Sequence, residues 1–251
     1  MSLRAILLQI TLIVCLAGFT GCGKDVPKGV MSQGMIALSF DDTYIDNWYS
    51  YLPLLDSLDI KATFYISAYH ILTNDQKNKL REIEAHGNEI GYHTTNHANL
   101  LKMCRASGID AVINREIMPD LRLMRNDGFN PVSFAYPFGQ HDTYMDRQLL
   151  HYFKSVRAIS KPNYYSCYMK HTGTRQILFG MGIDSREKTM DERIEYQIRL
   201  AWENNDCILL FTHAIDQPAN NYQVNSNRLR FIARVAKKYD MKFVRTSDIT
   251  Q

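Results

Sequence analysis

The chain has 251 residues, a formal net charge of +3, and a composition that is 45% hydrophobic and 22% charged. These values are ordinary for a globular protein, and the chain is long enough to bury a core without disulfide bonds. The weak positive charge lacks the clustered basic stripe of nucleic-acid-binding proteins, so we predict no nucleic-acid partner.

The amino terminus has the layout of a secretory signal. A short basic start with Arg4 precedes an almost wholly apolar segment over 5–19, which is too short to span a bilayer comfortably. Small residues then precede Cys22, as at the lipidation site of bacterial lipoproteins. We predict a lipoprotein signal peptide at 1–21 and a lipid-anchored tether at 22–34. The alternative is a buried or signal-anchor helix.

These features predict a cellular location. The mature chain would be secreted across the inner membrane and held in the cell envelope by its lipid anchor, on the periplasmic side or at the outer-membrane surface. The membrane is therefore one predicted partner.

From residue 35 onward, short apolar runs alternate with longer amphipathic stretches, which is the pattern of repeated βα units. The predicted strands are 35–40, 62–67, 89–92, 132–136, 155–159, 177–183, 207–211 and 242–245. The predicted helices are 48–58, 74–85 with Thr73 as N-cap, 110–126, 190–204 and 226–239. No proline- or serine-rich linker interrupts the alternation. We therefore predict a single α/β domain over 35–251, barrel-like, with seven or eight parallel strands.

Polar residues follow several of these strands, at the end where parallel barrels collect their chemistry. Six of them follow four strands: Asp41 and Asp42, His93 and His97, Asp184, and His213. Each feature alone has a structural explanation, since paired aspartates cap turns and a histidine after a strand is often a buried, hydrogen-bonded group. Their joint placement at one rim favours a metal site.

Two histidines and one carboxylate could hold a divalent metal and leave positions open for water. His93 and His97 are four residues apart and can reach one point if the segment follows a turn or a helical path. Such a site activates water near neutral pH and polarises a substrate carbonyl. The second carboxylate would be a general base, because neighbouring side chains on an extended segment diverge. The pattern predicts metal-assisted hydrolysis of an amide or ester.

The same residues carry a resemblance to a known family. Residues 39–42 (SFDD) and 87–97 (GNEIGYHTTNH) resemble the first two motifs of the NodB-type polysaccharide deacetylases of carbohydrate esterase family 4. Residues 134–139 (FAYPFG) and 209–213 (LLFTH) resemble the third and last motifs. The resemblance covers about 35–249 and implies a distorted, TIM-like (β/α) barrel that removes N-acetyl groups from a carbohydrate polymer or oligomer.

The resemblance also implies a role for each matching position. The roles are general base for Asp41, general acid for His213, ligands of a divalent metal for Asp42, His93 and His97, and oxyanion binding by the backbone N–H of Phe138. The metal is usually zinc in this family. For the substrate we predict binding by Tyr136, Tyr164 and Tyr165, since aromatic rings near barrel strand ends can stack on sugars.

Two departures from the family pattern affect the predicted site. The third motif usually begins with an arginine that pairs with the base aspartate, and Ala135 stands there. Another partner for Asp41 is then needed, and Arg157 and Arg175 are candidates. The fourth motif is represented by Asp184 without its usual tryptophan, so Asp184 either orients the acid histidine or caps the following turn.

Other readings stay open at this point. One is a carbohydrate-binding lipoprotein with weak or no catalysis, and another is an O-acetyl esterase or a non-sugar amidohydrolase on the same barrel. Outside the predicted site, Trp48 and Trp202 are expected in the core. The cysteines Cys104, Cys167 and Cys207 are expected as buried thiols.

Overall fold

The computed structural model describes residues 34–160, 167–169, 176–187 and 189–250. The predicted signal peptide, the anchor Cys22 and the tether up to residue 33 lie outside the described residues. So do three residues of the predicted site, Tyr164, Tyr165 and Arg175. Among the helices that are described, none combines the length and the apolarity needed to cross a bilayer.

Seven parallel strands close into a barrel, in the order β1-β2-β3-β4-β5-β7-β8 and back to β1. The described strands are β1 Met35–Asp42, β2 Thr63–Ile66, β3 Glu89–Tyr92, β4 Ser133–Ala135, β5 Ser155–Ile159, β6 Tyr168–Met169, β7 Gln176–Gly182, β8 Cys207–Thr212, β9 Ala214–Ile215, β10 Gln223–Val224 and β11 Lys242–Val244. The predicted (β/α) barrel is confirmed, and the three short strands β6, β9 and β10 were not predicted.

Helices cover the outside of the barrel. They are α1 Ile45–Ser50, α2 Leu52–Ser57, α3 Asn74–Ala85, α4 Leu100–Val112, α5 Met118–Asn126, α6 Thr143–Leu149, α7 Asp191–Asn204, α8 Ser226–Lys238 and α9 Thr246–Ile249. A π-helical turn, Ile113–Ile117, joins α4 to α5. The helix predicted over 48–58 divides at Tyr51. The helix predicted from residue 110 corresponds to the part of α4 after a kink at Gly108 (φ 80°), and the earlier turns of α4, which Asn99 caps, were not predicted.

The barrel is distorted where it closes. The first part of β1 pairs with β11, from Met35 to Ala37, and the second part pairs with β2, from Ser39 to Asp42. The strand β8 pairs with β1 on its other side. Thus β11 occupies the edge of β1 that β2 leaves free, and the carboxyl end of β1 is held between β2 and β8. That end carries the two aspartates.

Alternation along β1 divides the core into two layers. Ile36, Leu38 and Phe40 belong to the large cluster that packs the helices onto the barrel. Ala37 belongs to a small second cluster with Leu178, Cys207, Leu209 and Ile249. Since alternate residues of a strand face opposite sides, the second cluster lies inside the barrel. Inward positions nearer the carboxyl end are polar, so the barrel interior opens into the site.

One predicted core residue is wrong, and the others outside the site are mostly confirmed. Trp48 is fully buried, but Trp202 is 47% exposed and packs against the ring of Tyr239. Trp202 lies at the edge of the buried face of α7, beside α8. An amphipathic pattern alone does not show whether a residue at that edge is buried or exposed. Cys167 and Cys207 are buried thiols without a disulfide, whereas Cys104 is only half-buried.

Candidate active site

Both aspartates at the end of β1 face the site, for a local backbone reason. Asp41 continues the inward alternation of the strand and is 3% exposed. Asp42 has φ of 87°, in the left-handed region that L residues seldom adopt, so the chain turns there. That turn brings the second carboxylate toward the loop after β3 instead of to the outer face of the barrel.

The loop after β3 brings both histidines to Asp42. The Nε2 atoms of His93 and His97 lie 3.5 and 3.2 Å from Asp42 Oδ1. The path is irregular and not helical, with positive φ at Thr94 (74°) and at His97 (53°). The predicted two-histidine, one-carboxylate set is therefore assembled, with one donor atom from each residue within 4.8 Å of the others.

The three donors fit a divalent cation. His93 Nδ1 lies 2.8 Å from the carbonyl oxygen of Ala135, an arrangement that puts the proton on Nδ1 and leaves Nε2 as a lone-pair donor. Asp42 Oδ1 is buried and has no hydrogen-bond partner within the described chain. Burial opposes ionisation, but the adjacent imidazoles outweigh it and hold the pKa of Asp42 well below its usual range. Two imidazoles and an ionised carboxylate are the ligand set of zinc hydrolases.

The second aspartate forms a buried ion pair. Arg157 on β5 donates from Nη2 to Asp41 Oδ2, and the two side chains are 2% and 4% exposed. The register pairs Arg157 with Ala135, the position where the family motif usually has arginine. The guanidinium therefore comes from the strand next to the one that carries Ala135. Of the two arginines proposed from the sequence, Arg157 is the one that contacts the aspartate in the described structure. The guanidinium also lies 4.7 Å from the ring centre of Phe211.

His213 is held by a buried carboxylate across the site. Its Nδ1 lies 2.6 Å from Asp184 Oδ2, and Thr212 Oγ1 donates to Asp184 Oδ1 at 2.5 Å. Asp184 is 1% exposed, and its contact with the imidazole is the one that the orienting role predicted for it requires. Burial lowers the pKa of His213, but Asp184 and the charges of Asp41 and Asp42 outweigh it, and the pKa lies above its ordinary value.

The segment that carries His213 is fastened to α1. Trp48 Nε1 donates to the carbonyl oxygen of His213 at 2.8 Å. The side chain of Asn47 accepts from Ile215 N and donates to Ile215 O, at 2.8 and 2.9 Å. These contacts fix the backbone at His213 and at the second residue after it. Trp48, predicted only as a core residue, therefore also positions the site.

Exposed aromatic rings flank the two halves of the site. Phe138 is 57% exposed, and its ring centre lies 4.8 Å from that of His97. Tyr222 is 42% exposed and lies 5.2 Å from His213. Tyr136 does not share this position: it is 1% exposed and donates to Asp146, so it packs under the site and has no surface to offer a substrate. The substrate-binding role predicted for it is therefore wrong.

Comparisons with known proteins point to one family. The sequence model of the polysaccharide deacetylase family matches residues 28–153. The putative polysaccharide deacetylase YxkH of Bacillus subtilis (strain 168) is 27% identical over 118 residues, which cover 44% of this chain and 39% of that protein. The chain thus spans less than half the length of this curated relative.

Two solved structures share the fold. The peptidoglycan deacetylase PdaC from Bacillus subtilis superposes with a TM-score of 0.56 at 16% identity, covering 87% of this chain and 91% of that one. BA3943 from Bacillus anthracis, described as a family 4 carbohydrate esterase pseudoenzyme, superposes with a TM-score of 0.59 at 13% identity, covering 87% of this chain and 66% of that one.

Proposed function

Because this chain belongs to the polysaccharide deacetylase family, we propose that it is a metal-dependent hydrolase that removes N-acetyl groups from a carbohydrate polymer or oligomer. The observation that carries the proposal is the meeting of three metal-type donors, a paired buried carboxylate and a carboxylate-held imidazole at one rim of the barrel. Amide hydrolysis needs these three parts: a polarised carbonyl, a base for water and an acid for the amine.

The proposed cation is zinc, held by Asp42, His93 and His97. When bound there, a divalent cation supplies Lewis acidity that polarises the acetyl carbonyl and makes water easier to deprotonate. The backbone N–H of Phe138 is the proposed second contact to the developing oxyanion. The exposed ring of Phe138 packs against that of His97, so this backbone N–H belongs to a segment in contact with the proposed metal ligands.

Asp41 is the proposed general base. Its Oδ2 accepts from Arg157, whereas its Oδ1 is buried without a hydrogen-bond partner among the described residues. That oxygen can accept the proton of the attacking water as the water oxygen bonds to the acetyl carbon. The fixed guanidinium holds the orientation of the carboxylate.

His213 is the proposed general acid. With Nδ1 held by Asp184, its Nε2 can give a proton to the amine nitrogen as the C–N bond breaks. The products are acetate and the free amino sugar. The raised pKa of His213 keeps more of this residue in the proton-donating form at neutral pH than a free imidazole would have.

The pH dependence tests the acid role. Since His213 acts when protonated, kcat/KM should fall as the pH rises through its raised pKa. Asp184→Asn removes the charge that favours the protonated imidazole, so the alkaline limb of the pH–rate profile should move to lower pH. The profile on an N-acetylglucosamine oligomer measures this. An unmoved limb in the variant would exclude His213 as the group that titrates there.

Acetate release tests the proposed function as a whole. We expect the zinc-loaded protein to release acetate from N-acetylglucosamine oligomers, to stop when a chelator removes the metal, and to recover when zinc is returned. A panel that includes O-acetylated sugars and an aryl acetate separates deacetylation at nitrogen from the O-acetyl esterase alternative. No acetate from any member of the panel would reject the hydrolase proposal.

The second candidate is a carbohydrate-binding protein without efficient catalysis. BA3943, which shares the fold, is described as a pseudoenzyme, so the fold by itself does not guarantee catalysis. Arg157 beside Asp41 weighs against it, since the missing motif arginine is replaced from the next strand. Oligosaccharide binding without acetate release is the result that would support this candidate.

A cell-envelope location accompanies the proposal. We propose that Cys22 becomes an acylated first residue and that the barrel acts on a glycan close to its membrane, because the polar tether reaches at most about 40 Å. Mass spectrometry of the mature amino terminus tests this location. An unmodified Cys22 in the mature protein would reject it.

A further inference from the structure

We propose that Glu116 is a positioning residue that sets the affinity of the Asp42, His93 and His97 site for its divalent cation. The inference rests on the proposed function, because it concerns the same site. The hydrogen bonds of Glu116 go to Tyr92, Thr95 and Asn96 and not to the three ligand side chains. Glu116 acts through the backbone of the loop over 93–97.

That loop needs support from outside itself. Thr94 and His97 both have positive φ, at 74° and 53°, and a residue other than glycine costs conformational energy in that region. The two strained positions flank Thr95 and Asn96, and this stretch joins the two ligand histidines. A loop with this path keeps the histidines together only where neighbouring groups hold its backbone.

Glu116 supplies that hold with both its carboxylate and its backbone carbonyl. Its Oε2 accepts from the backbone N–H of Asn96 and its Oε1 from the Asn96 side chain, each at 2.9 Å. Its carbonyl oxygen accepts from Thr95 N and from Tyr92 Oη, each at 2.9 Å, and from Thr95 Oγ1 at 3.2 Å. One residue therefore binds the segment both before His93 and between the two ligand histidines.

The local helix geometry explains why Glu116 can reach the loop. It lies in the π-helical turn Ile113–Ile117, where the helical ladder is widened by one residue. Pro119, which has no backbone N–H, follows at the start of α5. In a regular helix the carbonyl of Glu116 would accept from the backbone N–H of Asp120, but that N–H is directed to Thr95 Oγ1, at 3.5 Å, so the carbonyl is available to the loop. Single π-turns of this kind are frequent near functional sites.

The burial and charge of Glu116 agree with a dedicated role. The residue is 4% exposed, and within the described part of the chain it forms no ion pair. A buried carboxylate without a counter-charge is costly unless hydrogen bonds stabilise it, and here both bonds come from Asn96. Packing alone would not require a carboxylate at this position. Its two hydrogen bonds to Asn96 are therefore what account for a glutamate here.

Zinc titration of the full chain against a chromophoric chelator tests the inference. Glu116→Ala should weaken zinc binding by about tenfold or more, the usual effect of losing a group that orients metal ligands. Glu116→Gln should recover most of the affinity, because the amide still accepts from the Asn96 N–H. The exposed Asn96→Ala change, which loses one of the two carboxylate contacts, should weaken binding by about threefold.

Asp120→Ala is the matched control. Asp120 is 1% exposed, lies one turn later, and its carboxylate binds His70 and not the loop. It should lower thermal stability as Glu116→Ala does and leave zinc affinity within about twofold. The inference is overturned if Glu116→Ala binds zinc with wild-type affinity, or if Asp120→Ala weakens zinc binding as much as Glu116→Ala does. Should Glu116→Ala not fold, wild-type zinc affinity in Asn96→Ala overturns it instead. Zinc binding without acetate release would instead reject only the proposed function.

Discussion

Asp41→Asn is expected to lower kcat for acetate release by about a thousandfold while zinc affinity and KM stay near their wild-type values, as for loss of a general base. The reason is that an asparagine side chain would keep the shape of the aspartate and an oxygen for Arg157, but it could not accept the proton of water. Asp41 is not one of the three metal-type donors, so the metal site should survive. Steady-state kinetics on an N-acetylglucosamine oligomer, with zinc content measured on the same sample, checks both parts.

A matched change at the neighbouring position distinguishes base from ligand. Asp42→Asn alters the adjacent carboxylate, whose Oδ1 lies beside both histidines. This variant should bind zinc more weakly, and its loss of activity should follow from the loss of zinc. Excess zinc should then restore part of the activity of Asp42→Asn and none of that of Asp41→Asn. If zinc rescued both variants alike, or if Asp41→Asn kept near-normal kcat, Asp41 would not be the base.

The architecture of the barrel could be predicted because its signals are local. Short apolar runs and amphipathic stretches alternate in the pattern of βα units, and Thr73 with Gln76 forms the capping box expected at the start of α3. The bounds predicted for the strands over 89–92 and 155–159 are those that the structure has. The two-residue strands β9 and β10 could not be predicted, since pairing between distant residues alone defines them.

In the candidate site, too, the features with local sequence signals could be predicted, and those that depend on long-range pairing could not. Residues directly after strands could be predicted, because strand ends meet at one rim whatever the exact packing. The partner of Asp41 could not be chosen between Arg157 and Arg175 from sequence, since the choice depends on how strands pair across the sheet. The turn at Asp42, with φ of 87°, was also beyond prediction because an aspartate at that position does not by itself indicate a left-handed residue.

The residues that the sequence did not reveal share one property: they act through the backbone of others. Glu116, Trp48 and Asn47 bind loop atoms, and a motif search finds side chains that bind substrate or metal. Glutamate and asparagine are common surface residues, so type alone carries no signal for such a role. Only the placement of Glu116 in a π-helical turn distinguishes it, and that placement is a property of three-dimensional structure.

Arg157→Met is expected to destabilise the fold by about 3–5 kcal/mol and to reduce activity, because it leaves the Asp41 carboxylate buried without a counter-charge. Both side chains of the pair are nearly inaccessible, at 2% and 4% exposure, so solvent cannot take over the role of the guanidinium. Without the guanidinium on its Oδ2, the Asp41 carboxylate also loses the fixed orientation that a general base needs. Chemical denaturation and steady-state kinetics measure the two effects.

The double variant Asp41→Asn with Arg157→Met distinguishes charge from packing. Replacing both partners removes the unpaired charge, so most of the stability lost in Arg157→Met should return while activity does not. Arg199→Met, at an exposed pair with Glu203, is the control and should change stability by less than about 1 kcal/mol. If the double variant were as unstable as Arg157→Met alone, the loss would come from packing against Tyr65 and Phe211, and the ion pair would not be what holds the base in place.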